Sequence, residues 1–109
     1  MRIINGKKFY QKEIDAAVQL PCKGWDHHGW YEQWYTLSYN PDCGLVILSA
    51  SNSGDCYGDY ETRYWDSPKA FLAWADDPYN NRSIEELLGD IDEDNEVLLK
   101  FVDALYEEE

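Results

Sequence analysis

Cysteine and histidine are the side chains of this sequence best suited to bind a metal or to attack a substrate. The chain contains Cys22, His27, His28, Cys43 and Cys56. Zinc sites of this kind place ligands in local pairs such as CxxC or HxxxH, and none of the five belongs to such a pair. We interpret them as ordinary thiols and a surface His-His loop. A zinc site assembled from distant parts of the chain is the alternative.

A second metal motif is the run of alternating acids that begins at Asp90. Residues 90–96 read DIDEDNE, which resembles the opening of an EF-hand calcium loop. That loop needs glycine at its sixth position and glutamate at its twelfth, where this chain has Asn95 and Phe101. The run therefore indicates a solvated junction between two helices, and we expect no metal and no cofactor.

The sequence contains no recognisable catalytic motif. Walker, Rossmann and nucleophile-elbow patterns are all missing from it. A Cys–His nucleophile pair could be drawn from three cysteines and two histidines, but any small protein of that composition offers one. Twenty-two acids likewise single out no pair of carboxylates for hydrolysis. We predict that the protein is not an enzyme.

Charge is the strongest signal in the sequence. The formal net charge is −13, and residues 76–109 hold thirteen of the twenty-two acids against two bases, so −11 of that charge lies there. We predict that this segment binds a partner through Asp76, Asp77, Glu85, Glu86, Asp90, Asp92, Glu93, Asp94, Glu96 and Asp103. We call these ten side chains the acidic surface.

A surface of one sign can serve solubility or docking. Mixed charges would keep a protein soluble with less self-repulsion, and among the glutamates of these helices only Glu96 has a lysine, Lys100, four positions later. A strongly basic partner explains the pattern better, since opposite charges steer fast, salt-sensitive association. We favour docking over a purely solubilising surface.

An aromatic cluster offers another binding surface. It comprises Trp25, Trp30, Tyr31, Trp34, Tyr35 and Tyr39. Packing in the core and between neighbouring strands is the simpler interpretation, and an exposed platform for a sugar or a protein is the alternative. A platform for nucleic acid is disfavoured because it also needs a basic groove.

Periodicity and turn residues predict an α+β fold with the order β-α-β-β-β-α-α-α. The i, i+3, i+4 spacing of Ile14, Ala17 and Val18 predicts a helix over about residues 10–20. The strands are predicted at about residues 2–4, 30–39, 45–50 and 56–65. Short turns between successive strands indicate an antiparallel meander, so we expect a three- to four-stranded antiparallel sheet with the helices packed on one face.

Three helices are predicted to follow the sheet. The first begins at Pro68, with Ser67 as its N-cap, and ends near Asp76. The second begins after Ser83, which has a glutamate three positions later as in a capping box. The third covers about residues 93–107. Their predicted buried residues are Ala70, Phe71, Trp74, Ile84, Leu87, Leu88, Ile91, Val97, Leu98, Phe101, Val102 and Leu105.

Length and composition favour one folded domain over residues 1–109, with an acid-rich helical segment at 76–109. Apolar residues make up 44% of the chain, too many for a disordered acidic protein. No apolar run reaches the roughly 20 residues that span a bilayer, and the N-terminus lacks the apolar region of a signal peptide. We predict a cytoplasmic protein that contacts neither membranes nor nucleic acid directly.

The chain resembles the small acidic proteins of phages and mobile elements that include the DNA-mimicking antirestriction proteins and several anti-CRISPR proteins. The similarity lies in the acid-dense segment 76–109, the predicted meander and the lack of a catalytic motif. It implies an inhibitor that blocks the nucleic-acid site of a restriction or nuclease enzyme or of a CRISPR effector. An immunity protein that neutralises a basic toxin is the alternative, and residues 4–14, INGKKFYQKEI, resemble the opening of the barnase inhibitor, although the later chain does not follow it.

Overall fold

The computed structural model of the chain describes residues 1–22, 32–53, 60–78 and 83–106. The elements are β1 Arg2–Ile4, β2 Lys7–Phe9, α1 Gln11–Asp15, β3 Val18–Leu20, β4 Glu32–Tyr39, β5 Val46–Ser53, β6 Tyr60–Trp65, α2 Pro68–Asp76, α3 Ile84–Leu88 and α4 Glu96–Leu105. They form a four-stranded antiparallel sheet, a separate two-stranded sheet and four helices, which confirms the predicted α+β class.

The main sheet has the strand order β3-β4-β5-β6, so the predicted meander forms its last three strands. Strands β4 and β5 pair from Tyr39↔Val46 to Glu32↔Ser53. The turn between them is held by Asn40, whose side-chain amide donates to the carbonyl of Glu13 at 2.9 Å and whose Oδ1 accepts from the Asp42 amide at 3.0 Å. This polar side chain can be buried because its hydrogen bonds are satisfied, one within the turn and one by the backbone of α1.

The N-terminal strand was predicted correctly, but it lies outside the main sheet. β1 pairs with β2 through a tight turn at Asn5 and Gly6, whose φ angles are 52° and 83°. Two successive positive φ angles at Asn-Gly are typical of the hairpin turn that matches the twist of its strands. β2 was not predicted because two of its three residues are lysines, which strands disfavour, whereas β1 contains two isoleucines.

The predicted helix over residues 10–20 was wrong in its second half. Helix α1 ends at Asp15, and residues 18–20 form β3, the edge strand beside β4. Leu20 pairs with Leu37 in the ladder and is 1% exposed, whereas Val18 is 43% exposed. Burial of Leu20 in the core and pairing with a distant strand therefore outweighed a local helical pattern that extended for little more than one turn.

The core lies between one face of the main sheet and helices α2, α3 and α4, whereas α1 has no buried residue. Alternate residues of the sheet face inward, and the helices contribute the other half. The buried cluster comprises Leu20, Leu37, Tyr39, Val46, Leu48, Phe71, Ala75, Ile84, Leu87, Leu88, Leu98, Phe101 and Leu105. Phe101 is its centre, with ring centroids 5.3 Å from Tyr39 and 6.1 Å from Phe71. One aromatic side chain thus joins α4 to both the sheet and α2.

Helix boundaries follow their capping residues. The Ser67 hydroxyl accepts from the Ala70 amide at 3.1 Å, and α2 covers the predicted residues 68–76. Helix α3 ends at Leu88, with Gly89 as its C-cap. The predicted burial of Ile91 was wrong, because that side chain is 40% exposed. Helix α4 begins later than predicted because Asn95 caps it by accepting from the Leu98 amide at 3.0 Å.

Candidate functional site

The ten predicted acidic residues are all exposed. Asp76 and Asp77 end α2, Glu85 and Glu86 lie in the first turn of α3, and Glu96 opens α4. Four more occupy the connection between α3 and α4, and the tenth lies in the last turn of α4: Asp90, Asp92, Glu93, Asp94 and Asp103. The acidic surface therefore consists of carboxylates on helix ends and one short connection.

Capping hydrogen bonds hold the backbone that carries these acids. The Ser83 hydroxyl accepts from the Glu86 amide at 3.2 Å, which fixes the first turn of α3. In the connection, Oδ1 of Asp92 accepts from the Asp94 amide at 3.0 Å, and Asn95 then caps α4. Side chains that accept from the backbone two or three positions later are typical of ordered turns and helix starts. The carboxylates are thus attached to a hydrogen-bonded scaffold.

The position of the acids along each helix separates two roles. Glu85, Glu86 and Glu96 lie in first turns, where a negative charge interacts favourably with the helix dipole. Asp76 and Asp103 lie in last turns, where the dipole opposes them, and neither α2 nor α4 has a basic residue in its last turn. The acids at helix starts help to stabilise the fold, whereas the acids in last turns oppose it.

The structure brings three of the ten acids around one groove. A depression of about 500 Å³ lies between α2, α3 and the end of α4, with Asp76, Glu85 and Glu86 among its lining residues. Leu72 and Tyr106 also line it, and Tyr106 is 54% exposed. These two side chains were not among the predicted site residues. The signal in the sequence is the position of Tyr106 directly after Leu105, the last predicted buried residue of α4.

The calcium-like run is explained by the fold. Asn95, at the position where a calcium loop needs glycine, caps α4, and Phe101, at the position of the bidentate glutamate, is fully buried in the core. Among the described residues, no group of three or more histidine, cysteine, aspartate or glutamate side chains is placed to hold a metal. Both deviations from the calcium motif therefore have structural roles.

Two of the candidate thiols can be placed. Cys22 and Cys43 are half-buried free thiols, and burial raises the pKa of each above its ordinary value. The Cys22 thiol donates to the Tyr35 carbonyl at 3.3 Å. A raised pKa keeps a thiol protonated and less nucleophilic near neutral pH. The other candidate ligands lie outside the described residues: His27, His28 and Cys56.

Only part of the aromatic cluster lies within the described residues. Tyr39 is in the core against Phe101, and Tyr35 is half-buried against the same core, so these two side chains pack as the simpler interpretation predicts. Trp25, Trp30 and Tyr31, and the side chain of Trp34, lie outside the described residues. A second aromatic group forms where Trp65, which was given no role from the sequence, packs on the predicted buried residues Phe71 and Trp74. Its ring centroid lies 4.8 Å from that of Phe71 and 5.0 Å from that of Trp74.

Known proteins offer no template for the acidic surface: no family model, curated protein or solved structure matches this chain. Within residues 1–22, 32–53, 60–78 and 83–106, no helix is both long and apolar enough to cross a membrane. Function must therefore be inferred from the charges and contacts of the chain itself.

Proposed function

We propose that this protein is a stoichiometric inhibitor that docks its acidic surface on the basic nucleic-acid-binding site of a CRISPR effector or of a restriction or nuclease enzyme. The observation that carries the proposal is the exposure of all ten acids on hydrogen-bonded helix ends and turns. Proteins that bind DNA through a basic groove pair lysine and arginine with closely spaced phosphates. Carboxylates held on a scaffold can occupy the same groove.

The charge balance supports a basic partner. In the segment 76–109, thirteen acids face two bases, Arg82 and Lys100, so the segment cannot neutralise itself. Like charges kept close together repel one another and lower stability. Asp76 and Asp103 lower the stability further, because they lie at the negative ends of helix dipoles. A partner rich in lysine and arginine would relieve both effects on binding.

The groove beside α3 gives the docking surface a shape as well as a charge. Its apolar side chains, Leu72 and Tyr106, lie next to carboxylates of Asp76 and Glu85. Lysine and arginine side chains combine an apolar stem with a charged head, and arginine also stacks on aromatic rings. A basic side chain of the partner can therefore bury its stem here while its head pairs with the carboxylates.

Inhibition of purified enzymes tests the proposal. A guide-loaded CRISPR effector, a restriction endonuclease and a small basic ribonuclease toxin are each assayed against labelled substrate while the protein is titrated in. We expect complete inhibition of a defence enzyme near one molar equivalent at low salt, and weaker inhibition as salt rises. Inhibition of the toxin alone would favour the immunity alternative, and inhibition of none would contradict both.

Charge variants assign the effect to the acidic surface. A six-site amide variant removes six charges and keeps side-chain size: Glu85→Gln, Glu86→Gln, Asp90→Asn, Asp92→Asn, Glu93→Gln and Asp94→Asn. We expect its inhibition to fall by more than tenfold, because close charge pairs at such interfaces contribute about 1.5 kcal/mol or more each. Unchanged inhibition by this variant would refute the proposed surface.

A pair of double variants provides a matched control. Glu93→Gln with Asp94→Asn removes two charges from the acidic surface, and Asp15→Asn with Asp42→Asn removes two from exposed positions outside it. Both proteins have the same net charge. We expect only the first pair to weaken inhibition. Equal losses would mean that overall charge, and not the surface, drives binding.

A further inference from the structure

Against its acidic background, the chain has a second groove lined by arginine and aromatic side chains. This groove of about 340 Å³ lies between β1, β6 and α2, and Arg2, Ile3, Arg63, Tyr64 and Trp74 line it. Both arginines are exposed, and Ile3 is 61% exposed. None of these residues belongs to the acidic surface.

Each arginine is positioned by an aromatic ring. The guanidinium carbon of Arg2 lies 4.0 Å from the ring centroid of Tyr64, and that of Arg63 lies 5.5 Å from the ring of Trp74. A guanidinium has five N–H donors around the edge of its plane, so contact of its face with a ring is compatible with paired hydrogen bonds to a carboxylate. Arginine held against an aromatic ring is therefore suited to recognition of acidic groups.

The groove follows the edge of the main sheet. β6 is the last strand in the order β3-β4-β5-β6, and in the described part of the chain no strand pairs with its outer side. Such an edge presents backbone N–H and C=O groups that can pair with another extended chain. The site therefore offers backbone hydrogen bonds as well as charge.

The two arginines lie on opposite sides of that edge. Arg63 has the same orientation as Trp65, which packs on Trp74 of α2, whereas Tyr64 and the stacked Arg2 lie on the other face of the sheet. Successive side chains of a strand point to opposite faces. A strand added beside β6 would therefore direct one side chain towards Arg2 and the next towards Arg63.

We propose that this groove binds an extended acidic peptide, which adds a strand to the edge of β6 and pairs two consecutive carboxylates with Arg2 and Arg63. The exposed Ile3 contacts an apolar side chain of the same peptide. Charge complementarity favours this occupant, because two exposed guanidinium groups line the groove and none of its described lining residues carries a carboxylate. The proposal concerns a separate surface and stands or falls independently of the proposed inhibitor function.

Nuclear magnetic resonance titration with synthetic peptides tests it. The probe is the octapeptide Thr-Val-Thr-Asp-Glu-Val-Thr-Val at 150 mM salt, where remote acids of the protein are screened beyond about 8 Å. Two control peptides separate the contributions. One replaces Asp-Glu with Asn-Gln, and the other keeps the charges but carries N-methyl groups on alternate amides. We expect shifts at Thr62 to Trp65, about fivefold weaker binding of the amide peptide and no measurable binding of the N-methyl peptide.

Protein variants complete the experiment. Arg2→Gln and Arg63→Gln are each expected to weaken binding about fivefold, whereas Lys100→Gln removes the same charge from exposed α4 and leaves binding unchanged. Circular dichroism establishes that each variant is folded. Equal binding of the N-methyl peptide, or full binding by both arginine variants, would overturn the proposal. So would tighter binding of a labelled oligonucleotide at the same residues, or a protein dimer that Arg63→Gln dissociates.

Discussion

Replacement of Phe101 by alanine tests whether the acidic surface depends on the packing of α4. The Phe101 side chain is fully buried and contacts both Tyr39 and Phe71. Burying a phenylalanine contributes about 1.5–3 kcal/mol. An aromatic pair adds about 0.5–1.5 kcal/mol. With the cavity that remains, we expect Phe101→Ala to lower the free energy of unfolding by about 3–5 kcal/mol.

Urea unfolding followed by circular dichroism at 222 nm measures this loss. Small domains have a total stability of about 5–15 kcal/mol, so this loss is a large fraction of it, and we expect the variant to melt roughly 12–20 °C lower. Lys100→Ala is the control, because Lys100 is exposed in the same helix and its loss should change stability by less than about 0.5 kcal/mol. A loss below about 1 kcal/mol for Phe101→Ala would refute the central role of this side chain.

The same variant also tests whether inhibition requires the acidic residues to be held on folded helices or requires only their negative charge. Phe101→Ala leaves the net charge at −13. Between the melting temperatures of the variant and the wild type, α4 of the variant no longer holds Glu96 and Asp103 in place. We expect inhibition of the target enzyme to be lost in that interval, with wild-type protein still active. Retained inhibition would mean that net charge is sufficient.

Three further predictions concern the fold and its thiols. Ser67→Ala removes the acceptor for the Ala70 amide and should lower the free energy of unfolding by about 1 kcal/mol in urea titration, whereas Ser67→Gly should cost only a few tenths. Gly44→Ala should cost at least about 1–2 kcal/mol by the same measurement, because φ is 85° and the new Cβ would lie 3.0 Å from the Asp66 carbonyl oxygen. Burial raises the pKa of Cys22 and Cys43, so the stabilisation that their protonated thiols contribute is present below about pH 9 and is lost as pH rises through the folded-state pKa. Alkylation by iodoacetamide, followed site by site by mass spectrometry, should reach half its maximal rate at a higher pH in folded than in urea-unfolded protein, and equal midpoints would contradict this.

Local signals in the sequence predicted the elements that local interactions stabilise. Helix α2 was placed correctly because Ser67 and Pro68 satisfy or remove the unpaired amides of its first turn. The β4–β5 hairpin was also placed, since the turn at residues 40–44 lies between two apolar runs. Elements whose conformation depends on pairing with a distant segment of the chain were not predicted. Residues 18–20 joined the sheet because a strand far along the chain, β4, was available to pair with them.

The sequence by itself determined the charge of this protein, its α+β class and the apolar sides of its last helices. These properties follow from composition and periodicity, which do not depend on where distant segments meet. Only the tertiary structure decided which charges share a surface. It set Asp76 beside Glu85 in one groove, and it brought Arg2 from the N-terminal hairpin against Tyr64 at the sheet edge. The physical reason is that these contacts form only when the core packs and brings distant segments together. The residues that make the contacts have no periodicity or spacing in the sequence from which the contacts could be predicted.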